Sequence, residues 1–199
     1  MPTDPFGEVV ESTTRQFTAE VYAAADPPAF GSWVMVPADD GASLYGLVSH
    51  VAVGSYDGNR QAVALGLSAE ERKRELPMVQ ELLRTTVRAQ ILAYRRGPNA
   101  PLHQTLPAHP PAMHAFVEAC PEDAVAALGA PYDFLRTLVR HPDPAVPVDD
   151  LLVAVLQRTY AAHGGAHGGR DALVTAGRAL SRLLDDDHER LQSILRRVL

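Results

Sequence analysis

Lysine is almost missing from this chain of 199 residues: seventeen of its eighteen basic side chains are arginine, and the only lysine is Lys73, within Glu71-Arg72-Lys73-Arg74-Glu75. A phosphate-binding P-loop needs lysine directly after glycine and before serine or threonine, where the ammonium reaches the β- and γ-phosphates. Lys73 has arginine on both sides, so nucleotide hydrolysis through a P-loop is excluded. A Schiff-base lysine needs desolvation to titrate near neutrality, and a charged run is the wrong place for one. Cysteine is just as scarce. Cys120 alone cannot form an intramolecular disulfide, which fits a reducing compartment. There is no C-x-x-C pair and no G-x-S-x-G elbow, so neither a closed zinc site nor a serine hydrolase has local support. Long apolar runs are absent too. Leu151 to Leu156 is typical, far below the roughly 20 residues that span a bilayer. Met1 to Glu11 has neither a basic n-region nor an apolar h-region, so the expectation is a soluble, cytoplasmic protein without a secretory signal.

The residues that are present describe a globular chain. Hydrophobic residues make up 46% and charged residues 21%, which rules out a mostly disordered polymer. At this length a core large enough to do without metal or disulfide staples is expected. The net charge is −6 and unevenly placed: residues 1–94 hold 7 basic and 12 acidic side chains, residues 95–199 hold 11 and 12. A chain-wide basic footprint for nucleic acid is therefore missing.

The hydrophobic period changes near the middle. Phe17, Ala19, Val21 and Ala23 alternate with Gln16, Thr18, Glu20 and Tyr22, and Val87, Ala89, Ile91 and Ala93 alternate with Thr86, Arg88, Gln90 and Tyr94. Period two over eight residues predicts half-buried strands. With Gly/Pro punctuation it predicts strands near 7–12, 16–24, 32–37, 43–54 and 85–95 and a short one near 61–65, a small closed barrel. Gly46 fits a bend inside the long strand. Ser68 followed by Glu71 reads as a capping box. It opens a helical insert continued by Met78, Val79, Leu82 and Leu83. Pro98, Pro101, Pro107, Pro110 and Pro111 predict a stiff linker. Beyond it the period is helical: Leu152, Val155, Leu156 and Tyr160 share one face, Leu173, Val174, Leu180 and Leu184 a second, and Leu191, Ile194, Leu195 and Val198 a third. Asp149 or Asp150, Asp171 and Asp187 suit helix starts. The expected organisation is α+β: a six-stranded barrel domain over 1–97, a Pro-rich linker over 98–112 and a helical domain over 113–199.

Each candidate for chemistry has a plainer explanation. His103, His109, His114 and Cys120 could supply metal ligands, but their spacing matches no closed site and prolines divide them. His163 and His167 are separated by Gly-Gly, which destroys a shared helical face. Cys120 precedes what looks like a helix start, where a thiol pKa can fall, yet Glu122 and Asp123 oppose that. Asp185-Asp186-Asp187-His188-Glu189 reads as a solvated turn and helix start. Arg72, Lys73, Arg74, Arg84 and Arg88 are interleaved with Glu70, Glu71, Glu75 and Glu81, a salt-bridged surface rather than a phosphate site. The expectation is therefore no catalytic, cofactor-binding or metal-ligating residues, and no cofactor.

The order of pieces in the first half carries a resemblance. Gly7-Glu8-Val9-Val10 opens the barrel, Phe30-Gly31-Ser32-Trp33-Val34 and Leu44-Tyr45-Gly46-Leu47-Val48 follow, and Leu83-Arg84-Thr85 leads to Ile91-Leu92-Ala93-Tyr94. This half of the chain resembles the HAS barrel, shared by HerA-type DNA translocases and rotary ATP synthase subunits. Residues 98–199 resemble the helical tail of small stand-alone bacterial HAS-barrel proteins. In the larger family an ATPase core follows the barrel; its residues are absent here, so hydrolysis is not implied. The resemblance implies a non-catalytic interaction or assembly module with a protein partner, associated with a DNA-translocase or DNA-repair complex. The alternatives are a nucleic-acid adaptor using surface arginines and an enzyme with a non-motif site built on His50 or His114. The apolar stripe of the last helix must be covered by its own domain or by a second copy, so a homo-oligomer belongs to the expectation.

Overall fold

The computed structural model describes residues 4–38, 41–55, 64–75, 83–97 and 99–198. Five strands stand where period two puts them: β1 (Gly7–Ser12), β2 (Gln16–Val21), β3 (Trp33–Pro37), β4 (Ser43–Ser55) and β5 (Leu83–Arg95). The sixth is not the one expected near 61–65. Residues 61–63 lie outside the described residues, Ala64 and Leu65 carry no strand, and the sixth strand is β6 (Phe116–Ala119), beyond the proline-rich segment. All pairings are antiparallel, and the strands close in the order β1-β2-β5-β4-β3-β6. β6 lies between β1 and β3, with Val117 opposite Gly7 and Ala119 opposite Val34. Without it those two strands would present open edges to solvent, a standing invitation to edge-to-edge pairing. Closure removes both.

Alternation fills the barrel. Val9, Phe17, Ala19, Val21, Val34, Val36, Val48, Val87, Ala89, Ile91 and Val117 form its interior core. Phe17 needs room that Gly46 supplies: a Cβ on Gly46 would come within 3.0 Å of the Phe17 ring and of Ala89. The β4–β5 register slips at that glycine, as a corner bend requires.

Five helices follow: α2 (Glu122–Ala127), α3 (Phe134–Arg140), α4 (Val148–Ala162), α5 (Gly169–Leu183) and α6 (His188–Val198). α1 (Ala69–Glu75) lies earlier, between β4 and β5. The capping box forms around it: the Ser68 N–H donates to Glu71 Oε2 at 2.8 Å and the Glu71 N–H to Ser68 Oγ at 3.3 Å. Those bonds favour the charged carboxylate and hold the Glu71 pKa below its ordinary value. Of the rest of the expected insert, Met78, Val79 and Leu82 lie outside the described residues, and Leu83 opens β5. α4 is the centre of the helical layer, with Leu151, Leu152, Val155 and Leu156 buried. α5 corrects its expected face. It buries Ala172, Ala176 and Leu180, whereas Val174 is 51% exposed, because the inward stripe of this helix is built on small residues spaced four apart. On α6, Ile194 is fully buried, Leu191 and Val198 pack partly on the core, and Leu195 stays at 36% exposure.

The first-turn acids of α4 act on α6. Arg190 forms an ion pair with Asp149 at 2.7 Å, Arg197 pairs with Asp150, and Asp187 caps α6 by accepting from the Arg190 N–H at 3.1 Å. All three sites are partly exposed, so each contributes a fraction of a kcal/mol to orientation rather than a large stabilisation.

Barrel and helices share one core. Trp33, Tyr45, Leu47 and Leu92 point out of the barrel and are buried with Phe134, Leu135, Leu151 and Leu156. Both faces of β5 are therefore apolar around Ile91 and Leu92. The proline-rich segment also packs: Pro107 and Pro111 are buried, and Ser12 Oγ donates to the Pro111 carbonyl at 2.7 Å. Gln104 ties it to the helices, donating from Nε2 to the Leu128 and Gly129 carbonyls at 3.1 and 2.9 Å and accepting from the Phe134 N–H at 3.2 Å. Among the described residues no helix is long and apolar enough to cross a membrane.

Candidate functional site

The structure separates the residues considered for metal chemistry. Among the described residues no three His, Cys, Asp or Glu side chains are grouped to hold a metal ion. His103 is engaged with Tyr94: the two exchange backbone hydrogen bonds at 2.9 Å, and their rings stack at 5.0 Å. His163 ends α4 with Nδ1 at 2.8 Å from the Thr159 carbonyl. His50 is exposed beside Pro27, Pro28 and Pro147. In the basic strip, Arg74 meets Glu75 at 2.9 Å and Arg84 meets Glu20 at 3.8 Å. The side chains of Arg72 and Lys73 lie outside the described residues.

Cys120 is the opposite of an activated thiol. It sits between β6 and α2, partly buried against the shared core. Desolvation, reinforced by Glu118, pushes its pKa from 9.0 up to about 12. At pH 8 a disulfide reagent such as dithionitrobenzoate is expected to react about a thousandfold more slowly with the folded protein than with the unfolded chain. A rate within severalfold of the unfolded one contradicts this environment. The sign for stability follows. The contribution is fully present below about pH 9, where folded and unfolded thiols are both protonated, and is lost as pH rises towards 12.

At one rim of the barrel a groove of about 700 Å³ opens between the ends of β3–β5 and residues 107–116. Its walls are apolar: Val36, Leu44, Pro111, Met113 and Phe116 line it. Met113 and Phe116 are each 54% exposed, unusual for side chains of that size. Phe116 belongs to β6, where alternation turns Val117 into the barrel and leaves Phe116 outside. Arg95, Arg96, His109 and His114 supply the polar lining, and no carboxylate lines the groove among the described residues. Arg96 lies over the Tyr94 ring at 5.9 Å from its centroid. The groove thus combines apolar walls with arginine and histidine side chains.

His114 stands at the edge of this groove in left-handed backbone geometry, φ 63°. Its Nδ1 is 3.3 Å from Glu8 Oε2, while Glu8 Oε1 accepts from the Tyr22 hydroxyl at 2.8 Å. Desolvation and this bond to a carboxylate push the Tyr22 pKa up to about 12, so the hydroxyl stays a donor. Sequence reasoning named His114 but not its partners, which lie on β1 and just past β2, more than ninety residues away. Positive φ on a non-glycine residue is a mark of constraint that only the folded chain reveals.

No family model matches this chain, and no curated protein matches it.

Proposed function

We propose that the chain is a non-catalytic interaction or assembly module that receives a protein partner on the barrel rim around Phe116. The observation that carries this reading is the exposure of Met113 and Phe116 beside a preformed apolar groove whose lining includes Arg96. Large apolar side chains clustered at a concave surface are characteristic of docking sites, and arginine is enriched at such sites because its guanidinium is weakly hydrated and geometrically specific. The complementary partner surface is apolar with acidic side chains. On the HAS-barrel resemblance, that partner belongs to a DNA-translocase or DNA-repair complex.

Affinity capture from the protein's own cells tests this with paired baits. Phe116→Asp is expected to lose the main captured protein by about tenfold or more, as removal of a central apolar anchor does, while Val174→Asp, on α5, retains it. Equal capture by both variants refutes the rim as the docking site. One observation favours a second reading, an enzyme using His114: the hydrogen-bonded series Tyr22–Glu8–His114. In that case His114→Ala abolishes a turnover and leaves capture intact. A nucleic-acid adaptor would instead lose its ligand steeply as salt rises.

A further inference from the structure

β4 is longer than the strand beside it. β3 pairs with residues 43–47 only, and the last bonds on that side are made at Val48. The Val48 N–H donates to the Ser32 carbonyl at 2.9 Å, and the Val48 carbonyl accepts from the Gly31 N–H at 2.8 Å. Before Gly31 the chain holds Pro27 and Pro28, which have no N–H with which to extend a ladder. A cleft of about 440 Å³, lined by Pro28, Phe30, His50, Val51 and Pro147, opens where the two segments part.

Backbone orientation along the rest of β4 follows from its other neighbour. The Ile91 N–H of β5 donates to the Arg15 carbonyl on the β2 side, so at steps of two Ala89, Val87 and Thr85 also turn their backbone groups to β2. Their β4 partners, Val48, Val51 and Val53, turn theirs away from β5, the extra residue Ser49 being absorbed by the register slip between Val48 and His50. Val48 bonds Gly31 and Ser32 in this way. No hydrogen bond reaches the outward groups of Val51 and Val53 among the described residues. The edge is accessible: Val53 is 67% exposed, and a Cβ on Gly54 would meet nothing within 4 Å.

A row of unpaired N–H and C=O groups is completed by an extended backbone, and edges are normally guarded against that by charge or proline. His50-Val51-Ala52-Val53-Gly54 has neither. The segment is also complementary to itself. In an antiparallel pairing about a two-fold axis at Ala52, Val51 stands opposite Val53 of the second copy, and the two exchange both backbone bonds. These valines form a β-branched cross-strand pair on the face where Val51 already packs against the barrel interior. On the other face Ala52 meets Ala52 of the second copy and His50 lies opposite Gly54 of the second copy, so no two large side chains collide.

We infer that β4 pairs with β4 of a second copy through Val51 and Val53, joining two barrels in a symmetric dimer. A contact this small makes a weak dimer, populated at high protein concentration. It does not rest on the rim-docking reading, since the groove around Phe116 is lined by Leu44, at the opposite end of β4.

Sedimentation equilibrium on the full chain, from about 10 µM to about 1 mM, tests it. The mass is expected to rise from 21.5 kDa towards twice that value. Val53→Lys puts a charge on the edge and is expected to weaken the dimer at least about tenfold. Val53→Pro removes an N–H that faces the second copy and none that faces β5, and is expected to abolish it. Because the Val53 side chain is exposed, Val53→Lys keeps the parent's melting temperature and decides alone if proline disturbs β4. Ala52→Cys brings two Cα atoms to about 4.5 Å across the axis, within disulfide reach. It is expected to give a disulfide-linked dimer in a glutathione redox buffer, whereas Val174→Cys, on α5, does not. The buried Cys120 thiol, with its pKa pushed up to about 12, does not compete. A mass of 21.5 kDa at every concentration overturns the inference. So does a dimer that Val53→Lys leaves unchanged, or equal cross-linking of the two cysteine variants.

Discussion

Replacing Phe134 with alanine is expected to destabilise the chain by about 3–5 kcal/mol and to lower its melting temperature by roughly 10 °C. Phe134 opens α3, is 2% exposed, and meets the Trp33 ring edge-on at 5.1 Å. Trp33 belongs to β3 but faces out of the barrel, so this pair joins the two halves. The loss comprises the transferred area of one aromatic ring, the cavity left behind and the edge-to-face contact with Trp33. The chain has a single tryptophan, which makes its fluorescence a reporter of the barrel side, while far-ultraviolet circular dichroism follows the helices. Because the two halves share a core, both signals are expected to move together, in the parent and in Phe134→Ala. Two separated transitions would show that the layers unfold independently and that the shared core does little to couple them.

Gly31→Val is expected to cost about 2–5 kcal/mol, for two separable reasons. Gly31 has φ 75°, a conformation that β-branched residues strongly resist. Any Cβ there would also overlap the Ala154 methyl on α4. The position cannot simply move away, since the Gly31 N–H donates to the Val48 carbonyl at 2.8 Å and so fixes the entry to β3. Gly31→Ala combined with Ala154→Gly separates the terms. The double variant removes the overlap and is expected to recover all but about 1 kcal/mol, the cost of left-handed backbone on alanine, after allowance for glycine in a helix. Equal denaturant midpoints for Gly31→Ala and the double variant would show that the close approach to α4 contributes nothing.

The barrel was largely legible because its first five strands announce themselves by local period. Phe17, Ala19 and Val21 point inward as alternation requires, and so do Val87, Ala89 and Ile91. Local bonding was equally legible at Ser68 and Glu71, where the chemistry needs only four consecutive residues. β6 escaped for a physical reason. Phe-Val-Glu-Ala is too short for a period to show, it follows a run of prolines, and its partners are β1 and β3, at least eighty residues away. Counting would have helped: a six-stranded barrel with five clear strands must find its sixth between two free edges, and Val117 beside exposed Phe116 is alternation in miniature. On α5, an alanine stripe was overlooked because a search for large apolar residues passes over the small ones that allow close packing. Alternation makes Gln90 a solvent-facing position in a half-buried strand. Its sequence neighbours justify that reading, and only its burial in the fold overturns it. The rim groove was invisible for the same reason: prolines 107–111, read as a spacer, pack along the barrel and form a wall.

Whether the barrel rim docks a protein is decided by a photoreactive benzoyl-phenylalanine placed at position 116 and irradiated in the protein's own cells. Phe116 is already aromatic and 54% exposed, so the probe replaces it with little disturbance. A discrete protein adduct is expected from position 116 and none from the same probe at Val174, on α5. Adducts to nucleic acid, no adduct at all, or identical adducts from both positions would contradict it.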